Sequence, residues 1–117
     1  KEILDADIYK ACKTAELGSL IDPKGEYLSI SCSNNLLNFS GGQRQRIAIA
    51  QALIHPKAKM IILDETFSNI DKKTCEKILM NIKNNYPNIG VLIITHYENF
   101  IPDYYQKILL EEINKCN

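Results

Sequence analysis

Apolar residues recur at helical intervals in the first part of this chain. Asp5 or Asp7 can open a helix, which Gly18 is expected to end. The apolar face of this helix consists of Ile8, Ala11, Cys12 and Ala15. Ser19 to Ile21 predicts a short helical turn, and residues 26–38, rich in serine and asparagine, predict a loop.

A second helix is expected directly after Gly42. Its residues are apolar on nearly every side as far as Ile54, and this pattern predicts a buried helix. Pro56 should end the helix, because the residue that precedes a proline, here His55, is biased out of the helical region.

An uninterrupted apolar run, Met60 to Leu63, ends in two adjacent carboxylates, Asp64 and Glu65. The run is too short for a helix and does not alternate, so it predicts a central strand of a parallel sheet covered on both faces. Asp71 should cap a following helix that extends to about Asn85.

The chain then returns to the sheet. Val91 to Thr95 predicts a second apolar strand, which ends at His96. Strand, helix and strand in this order predict a right-handed crossover between parallel strands. The two carboxylates and His96 should therefore lie at carboxyl ends of strands, where open α/β sheets bind ligands. Glu98 to Ile101 predicts a helical turn, and Tyr105 to Ile113 predicts a third strand, although part of this last segment fits a helix equally well.

Composition narrows the range of partners. The 14 basic and 14 acidic residues cancel, so no overall field draws the chain to nucleic acid or to anionic lipid. Its apolar stretches are far shorter than the roughly 20 residues of a membrane-spanning helix, and we expect a soluble segment. The four cysteines are scattered without metal-site spacing, which predicts free thiols in a reducing compartment. The first residue is Lys1 and no signal peptide follows, so we expect a segment of a longer protein.

Ser40, Gly41 and Gly42 stand where the second helix begins. A serine can cap a helix, glycines let a ligand approach the backbone, and free N–H groups at a helix start attract anions. The segment therefore predicts a cradle for a phosphate, although an ordinary glycine loop followed by a helix cap would have the same residues. Arg44 and Arg46 favour the phosphate, because cations are disfavoured at a helix start unless negative charge is near.

The polar groups at the strand ends suggest the chemistry of phosphate transfer. Asp64 can hold Mg²⁺ directly or through water, Glu65 can polarise an attacking water, and His96 can donate to a γ-phosphate. Each has a simpler explanation: a solvated strand end for the carboxylates and a structural role for the histidine. Ser68 to Asp71 is explained most simply as a turn and a helix cap.

In this order and spacing, the motifs resemble the C-terminal half of an ABC-transporter ATPase domain. Phe39 to Gln43 is similar to the family's signature motif, usually L-S-G-G-Q, and Met60 to Asp64 to its Walker B strand. Glu65 matches the catalytic glutamate, Ser68 to Asp71 resembles the D-loop, and His96 matches the switch histidine. Residues 5–27 resemble the helical subdomain of exporters with fused membrane domains, among which peptide and bacteriocin exporters are the most similar.

The resemblance implies an α/β chain with part of a P-loop NTPase fold. Residues 1–55 would be the helical subdomain with the signature motif and its helix, and residues 56–117 the C-terminal part of the ATPase core. The sequence contains no G-x-x-x-x-G-K-[ST] phosphate loop, so the Walker A portion is missing and the chain alone should not hydrolyse ATP. Thr66 and Phe67 depart from the family, which usually has a small residue or proline followed by threonine.

The resemblance also implies ATP and Mg²⁺ as cofactors and a head-to-tail dimer with a second ABC ATPase domain. Asp64 would hold Mg²⁺ through water, and Glu65 and His96 would be catalytic for the ATP of the same subunit. Ser68 and Asp71 would belong to the D-loop. The residues that would bind the partner subunit's ATP in trans are Ser40, Gly41, Gly42 and Gln43. The transmembrane domains of the parent transporter would be further partners, at the cytoplasmic face of the membrane.

Two other classes fit parts of the pattern. DNA-maintenance ATPases also carry a signature, a Walker B strand and a D-loop, but they usually have glutamate after Ser-Gly-Gly, and this chain lacks net positive charge. A non-enzymatic, truncated ABC-type module that binds a full ATPase domain and lends it only a signature helix is the other alternative.

Overall fold

The computed structural model describes residues 2–18 and 39–108. The sequence expectations for Ser19 to Ile21 and for residues 26–38 lie outside these ranges. In chain order the elements are α1 (Asp5–Thr14), α2 (Gly41–Ile54), β1 (Met60–Asp64), α3 (Lys72–Asn85), β2 (Gly90–Ile94) and a 3₁₀ turn (Glu98–Phe100). None of the described helices has the length and apolar character needed to span a bilayer.

Helix α1 ends earlier than its sequence pattern predicts. Its last residue is Thr14, and the left-handed residue that ends it is Glu16, with φ 58°, rather than Gly18. The N–H of Leu17 donates to the carbonyl of Cys12, which is the bond that closes a Schellman motif. Gly18 is therefore not the end of the helix, because a glutamate already occupies the conformation that glycine usually supplies.

Helix α2 spans the predicted residues, but it is not buried on every side. Ser40 precedes it as the N-cap and His55 follows it as the C-cap. Ala48 is exposed, while the residues of α2 in the core are Ile49, Ala50 and Leu53. The expectation of a helix buried all round is wrong, because the other described elements pack against one side only.

Within residues 2–18 and 39–108 the sheet has two parallel strands, with Met60 opposite Gly90 and Asp64 opposite Ile94. Helix α3 lies between them in sequence, as the crossover pattern predicts, and its boundary at Asn85 agrees with the prediction. The confirmed fold class is thus a small α/β arrangement with a parallel sheet. The second strand begins at Gly90 and ends at Ile94, one residue earlier at each end than predicted.

One face of this sheet packs on the helices and the other is exposed. Ile61 and Leu63 belong to the same core as the buried residues of α1, α2 and α3. The opposite face carries apolar side chains that are about half exposed, namely Met60, Ile62, Leu92 and Ile94. The expectation of a strand covered on both faces is therefore wrong for the part of the chain that the structure describes, where every covering helix packs on the same face.

The end of the described chain differs from the predicted third strand. Tyr105 to Ile108 are not in a strand, and residues 109–113 of that prediction lie outside the described ranges. The helical turn expected at Glu98 to Ile101 is confirmed as the 3₁₀ turn, with the N–H of Ile101 donating to the carbonyl of Glu98. The division into residues 1–55 and 56–117 stays a prediction.

Candidate active site

Ser40 and Gln43 cap the start of α2 reciprocally. The N–H of Gln43 donates to Ser40 Oγ at 3.1 Å, and the N–H of Ser40 donates to Gln43 Oε1 at 2.9 Å. Within the described residues, no group accepts a hydrogen bond from the N–H of Gly41 or Gly42. The predicted cradle thus keeps two backbone donors at the positive end of a 14-residue helix, while the Gln43 amide oxygen is engaged in the cap.

The glycines also allow close contact with the turn that follows β1. A Cβ atom on Gly42 would lie 2.6 Å from the carbonyl oxygen of Asn69, and one on Gly41 would lie 3.2 Å from the Asn69 side-chain nitrogen. The first distance is too short for any real Cβ contact with a backbone atom. Glycine at position 42 is thus required by packing within the chain, whatever binds the cradle.

Gln45 joins the same two segments through its side-chain amide. Its Nε2 donates to Ser68 Oγ at 2.7 Å, and its Oε1 accepts from the N–H of Asn69 at 3.0 Å. The sequence reasoning assigned no role to Gln45. The available signal was its position on α2, three and four residues after the glycines and hence on their side of the helix.

The two arginines of the first turns have different surroundings. Arg46 is partly buried, and its Nη1 donates to the carbonyl of Glu16 at 2.7 Å, where α1 has just ended. Its Nε donates to the carbonyl of Gly42 at 3.4 Å. Arg46 is thus directed to the carbonyl end of α1, where a helix carries partial negative charge. Arg44 is exposed.

Glu65 and His96 meet at the ends of the two strands. Glu65 Oε1 and His96 Nδ1 are 3.0 Å apart, and the His96 ring lies against Tyr97 with ring centroids 4.1 Å apart. Glu65 has a left-handed backbone with φ 50°, and its N–H donates to the carbonyl of Ile94 at 2.8 Å. Its second oxygen, Oε2, is buried and accepts no hydrogen bond from the described residues. A strained backbone and an unused buried acceptor at strand ends are typical of a functional carboxylate.

Asp64 is the last residue of β1 and is exposed. Within the described ranges, no cluster of three or more carboxylate, thiol or imidazole groups could by itself hold a metal ion. Mg²⁺ is commonly held by one or two carboxylates, with substrate phosphates and waters supplying the other ligands. The single exposed carboxylate therefore fits this ion in the presence of a phosphate ligand.

The segment from Glu65 to Asp71 is a compact turn anchored in the core. Phe67 and Ile70 are buried, and the N–H of Ile70 donates to the carbonyl of Phe67 at 3.1 Å. Asp71 caps α3 by accepting from the Thr74 N–H at 2.9 Å and from Thr74 Oγ1 at 2.7 Å. These bonds hold the pKa of the Asp71 carboxyl below its usual value.

The geometry thus brings the predicted residues into two groups. Ser40 to Gln43 lie beside the Ser68–Asp71 turn, and Glu65 lies beside His96. Comparison with known families matches residues 5–68, more than half of the chain, to the model of the ABC transporter family. The chain belongs to the ABC transporter family. The resemblance to an ABC-transporter ATPase domain is thereby confirmed, and the expected roles of individual residues stay predictions.

Several curated ABC proteins are similar to this ABC chain. It is 31% identical over 111 residues to the ABC-type transmembrane transporter verA of Clonostachys rogersoniana, covering 94% of this chain and 9% of that protein. It is 32% identical over 108 residues to ATP-binding cassette sub-family C member 3 of Rattus norvegicus, covering 92% of this chain and 7% of that one. The lactococcin-A transport/processing ATP-binding protein LcnC of Lactococcus lactis is 43% identical over 76 residues, which are 65% of this chain and 10% of that protein. The chain thus spans about a tenth or less of these relatives.

Proposed function

We propose that this chain is the part of an ABC exporter's ATPase domain that carries the signature motif, the Walker B strand and the switch histidine. The observation that carries the proposal is the 3.0 Å contact between Glu65 and His96 at adjacent strand ends. Family membership and the matching relatives support an ATP-binding function in transport.

In this proposal, Glu65 polarises the water that attacks the γ-phosphate of ATP. The Glu65 side chain is 43% exposed at the strand end, so its carboxylate can be reached by that water. His96, held against Glu65, donates to the γ-phosphate, and Asp64 holds Mg²⁺ through water. Bound Mg²⁺ would supply neutralisation of the charge that develops on the transferred phosphoryl group.

The Ser40–Gln43 segment would bind the ATP of a second ATPase domain in a head-to-tail dimer. The free N–H groups of Gly41 and Gly42 and the dipole of α2 support this role. A phosphate loop would have to come from outside these 117 residues, since the sequence contains none. The remaining partners would be the transmembrane domains of the parent transporter, with this segment at the cytoplasmic face of the membrane.

The test compares ATP hydrolysis by the 117-residue chain with hydrolysis by a joined protein, in which the phosphate-loop half of the lactococcin-A relative precedes it. The chain alone should show no hydrolysis, and the joined protein should hydrolyse ATP. Glu65→Gln should lower kcat of the joined protein by about 100-fold or more, because it removes the general base.

The matched control is Glu76→Gln, which alters an exposed glutamate on α3 and should leave kcat unchanged. If the chain alone hydrolysed ATP and Glu65→Gln abolished this hydrolysis, the requirement for a phosphate loop from outside these residues would be wrong. Hydrolysis by the joined protein that is insensitive to Glu65→Gln would contradict the assigned active site.

A further inference from the structure

We propose that Gln45 is a positioning residue that sets the place of Glu65 by tying the Ser68–Asn69 turn to the start of α2. The inference rests on the proposed function, since it concerns the same hydrolytic site. We call the two hydrogen bonds from the Gln45 amide to Ser68 and Asn69 the Gln45 clamp. None of the residues in the clamp needs to touch ATP for it to act.

The clamp uses both ends of the Gln45 amide, and its orientation is determined by its partners. The Asn69 N–H can only donate, so the atom 3.0 Å from it must be the Gln45 oxygen. The amide nitrogen then lies 2.7 Å from Ser68 Oγ, which can accept. A flipped amide would place a donor against a donor at Asn69, so only one arrangement satisfies both partners.

A second contact holds the same turn from the other side. Gly42 approaches the carbonyl oxygen of Asn69 so closely that a Cβ atom would lie 2.6 Å away. The peptide groups around Asn69 are thus fixed at the N–H by Gln45 and at the carbonyl by contact with Gly42. Both fixing groups belong to the first two turns of α2, so the turn follows any displacement of that helix.

The clamped turn connects directly to the catalytic carboxylate. The N–H of Ser68 donates to the carbonyl of Glu65 at 3.4 Å, so that Ser68 bonds to Gln45 through its side chain and to Glu65 through its backbone. Glu65 has φ 50°, a conformation that a non-glycine residue keeps only when its surroundings hold it. Releasing Ser68 removes one of these constraints, and Glu65 should then spend less time beside His96.

The first part of the experiment measures backbone hydrogen exchange at Asn69 in the full chain by NMR. Gln45→Ala should speed this exchange about three- to tenfold, the effect expected from losing one ordinary hydrogen bond. Gln45→Glu keeps an acceptor for the Asn69 N–H, and the Ser68 hydroxyl can turn to donate to it, so exchange should stay within about twofold of wild type. Gln51→Ala is the control, because it makes the same truncation at an exposed site of α2.

The second part measures ATP hydrolysis by the joined protein described above. Gln45→Ala should lower kcat about three- to tenfold and leave KM for ATP unchanged, because the clamp acts on Glu65 and not on nucleotide binding. Gln51→Ala should change neither constant. Ser68→Ala combined with Gln45→Ala should lower kcat no further than the larger single effect, since both remove the same bond.

Each other result overturns the proposal in a distinct way. Unchanged exchange in Gln45→Ala would show that the clamp does not form in solution. Faster exchange with unchanged kcat would reduce Gln45 to a structural contact, and a change in KM alone would make it a nucleotide-binding residue. A joined protein without any hydrolysis, but with the expected exchange pattern, would overturn the proposed function and the positioning role while leaving the contact itself intact.

Discussion

Replacing Phe67 by alanine should destabilise the chain strongly, because this side chain anchors the turn from Glu65 to Asp71 in the core. Phe67 is 2% exposed and belongs to the same core as residues of all three helices and of β1. A buried phenylalanine removes about 200 Å² from water, which at about 25 cal/mol per Å² corresponds to an upper value of about 5 kcal/mol. Alanine keeps the Cβ but leaves a cavity, and we expect a loss of about 3–5 kcal/mol.

That loss is large compared with the roughly 5–15 kcal/mol by which small domains are stable. The measurement is urea unfolding followed by circular dichroism at equal protein concentrations, for wild type, Phe67→Ala and Phe67→Leu. The leucine variant keeps most of the volume and should lose less than about 1.5 kcal/mol. Met80→Ala, at a site on α3 that is 43% exposed, serves as the control and should lose less than about 1 kcal/mol. A loss below about 1 kcal/mol in Phe67→Ala, with an unchanged m-value, would refute the core position of this side chain.

Three further predictions follow from packing and protonation. In thermal unfolding, Gly42→Ala should lower the free energy of unfolding by about 1–2 kcal/mol, since overpacking against a backbone oxygen outweighs the gain in helix propensity. Gly41→Ala meets only a movable side chain and should change the free energy of unfolding by less than about 0.5 kcal/mol. Hydrogen bonds to Thr74 lower the pKa of Asp71, so the stability that this carboxylate contributes is fully present above the ordinary aspartate pKa and is lost as the pH falls through the lowered value. Asn still caps a helix, so Asp71→Asn should remove this acid dependence from unfolding curves measured between pH 2 and 6. Burial raises the pKa of the Cys75 thiol to about 12, so maleimide labelling of this residue, followed by mass spectrometry, should be negligible at pH 7 until denaturant unfolds the chain.

Local rules account for the elements around the site. Ser40 caps α2 and Asp71 caps α3, because short polar side chains satisfy the free N–H groups of a helix start. The apolar run before Asp64 forms a strand because it is too short for a helix and is bounded by turns. The meeting of Glu65 and His96 also follows, since parallel neighbouring strands end at the same edge.

The remaining features depend on contacts between segments far apart in sequence. The partner of Arg46 is a carbonyl 30 residues earlier, at the end of α1. That end was not predictable, because the sequence pattern pointed to Gly18 as the residue that ends the helix. The exposed face of the sheet was not predictable, because an apolar run indicates that a strand can be covered on two faces and not which segment covers it. The Gln45 clamp likewise depends on side-chain contacts that neither periodicity nor residue type specifies.

The hydrogen bond between Arg46 and Glu16 has a consequence for the length of the connection between them. It joins residue 16 to the second turn of α2, across 30 positions of the sequence. The entropy of closing such a connection grows slowly, by about 0.6 kcal/mol for each doubling of its length. A change in the number of residues between Gly18 and Phe39 should therefore cost little in closure entropy, so the contact between the end of α1 and α2 does not depend on one exact spacing in the sequence.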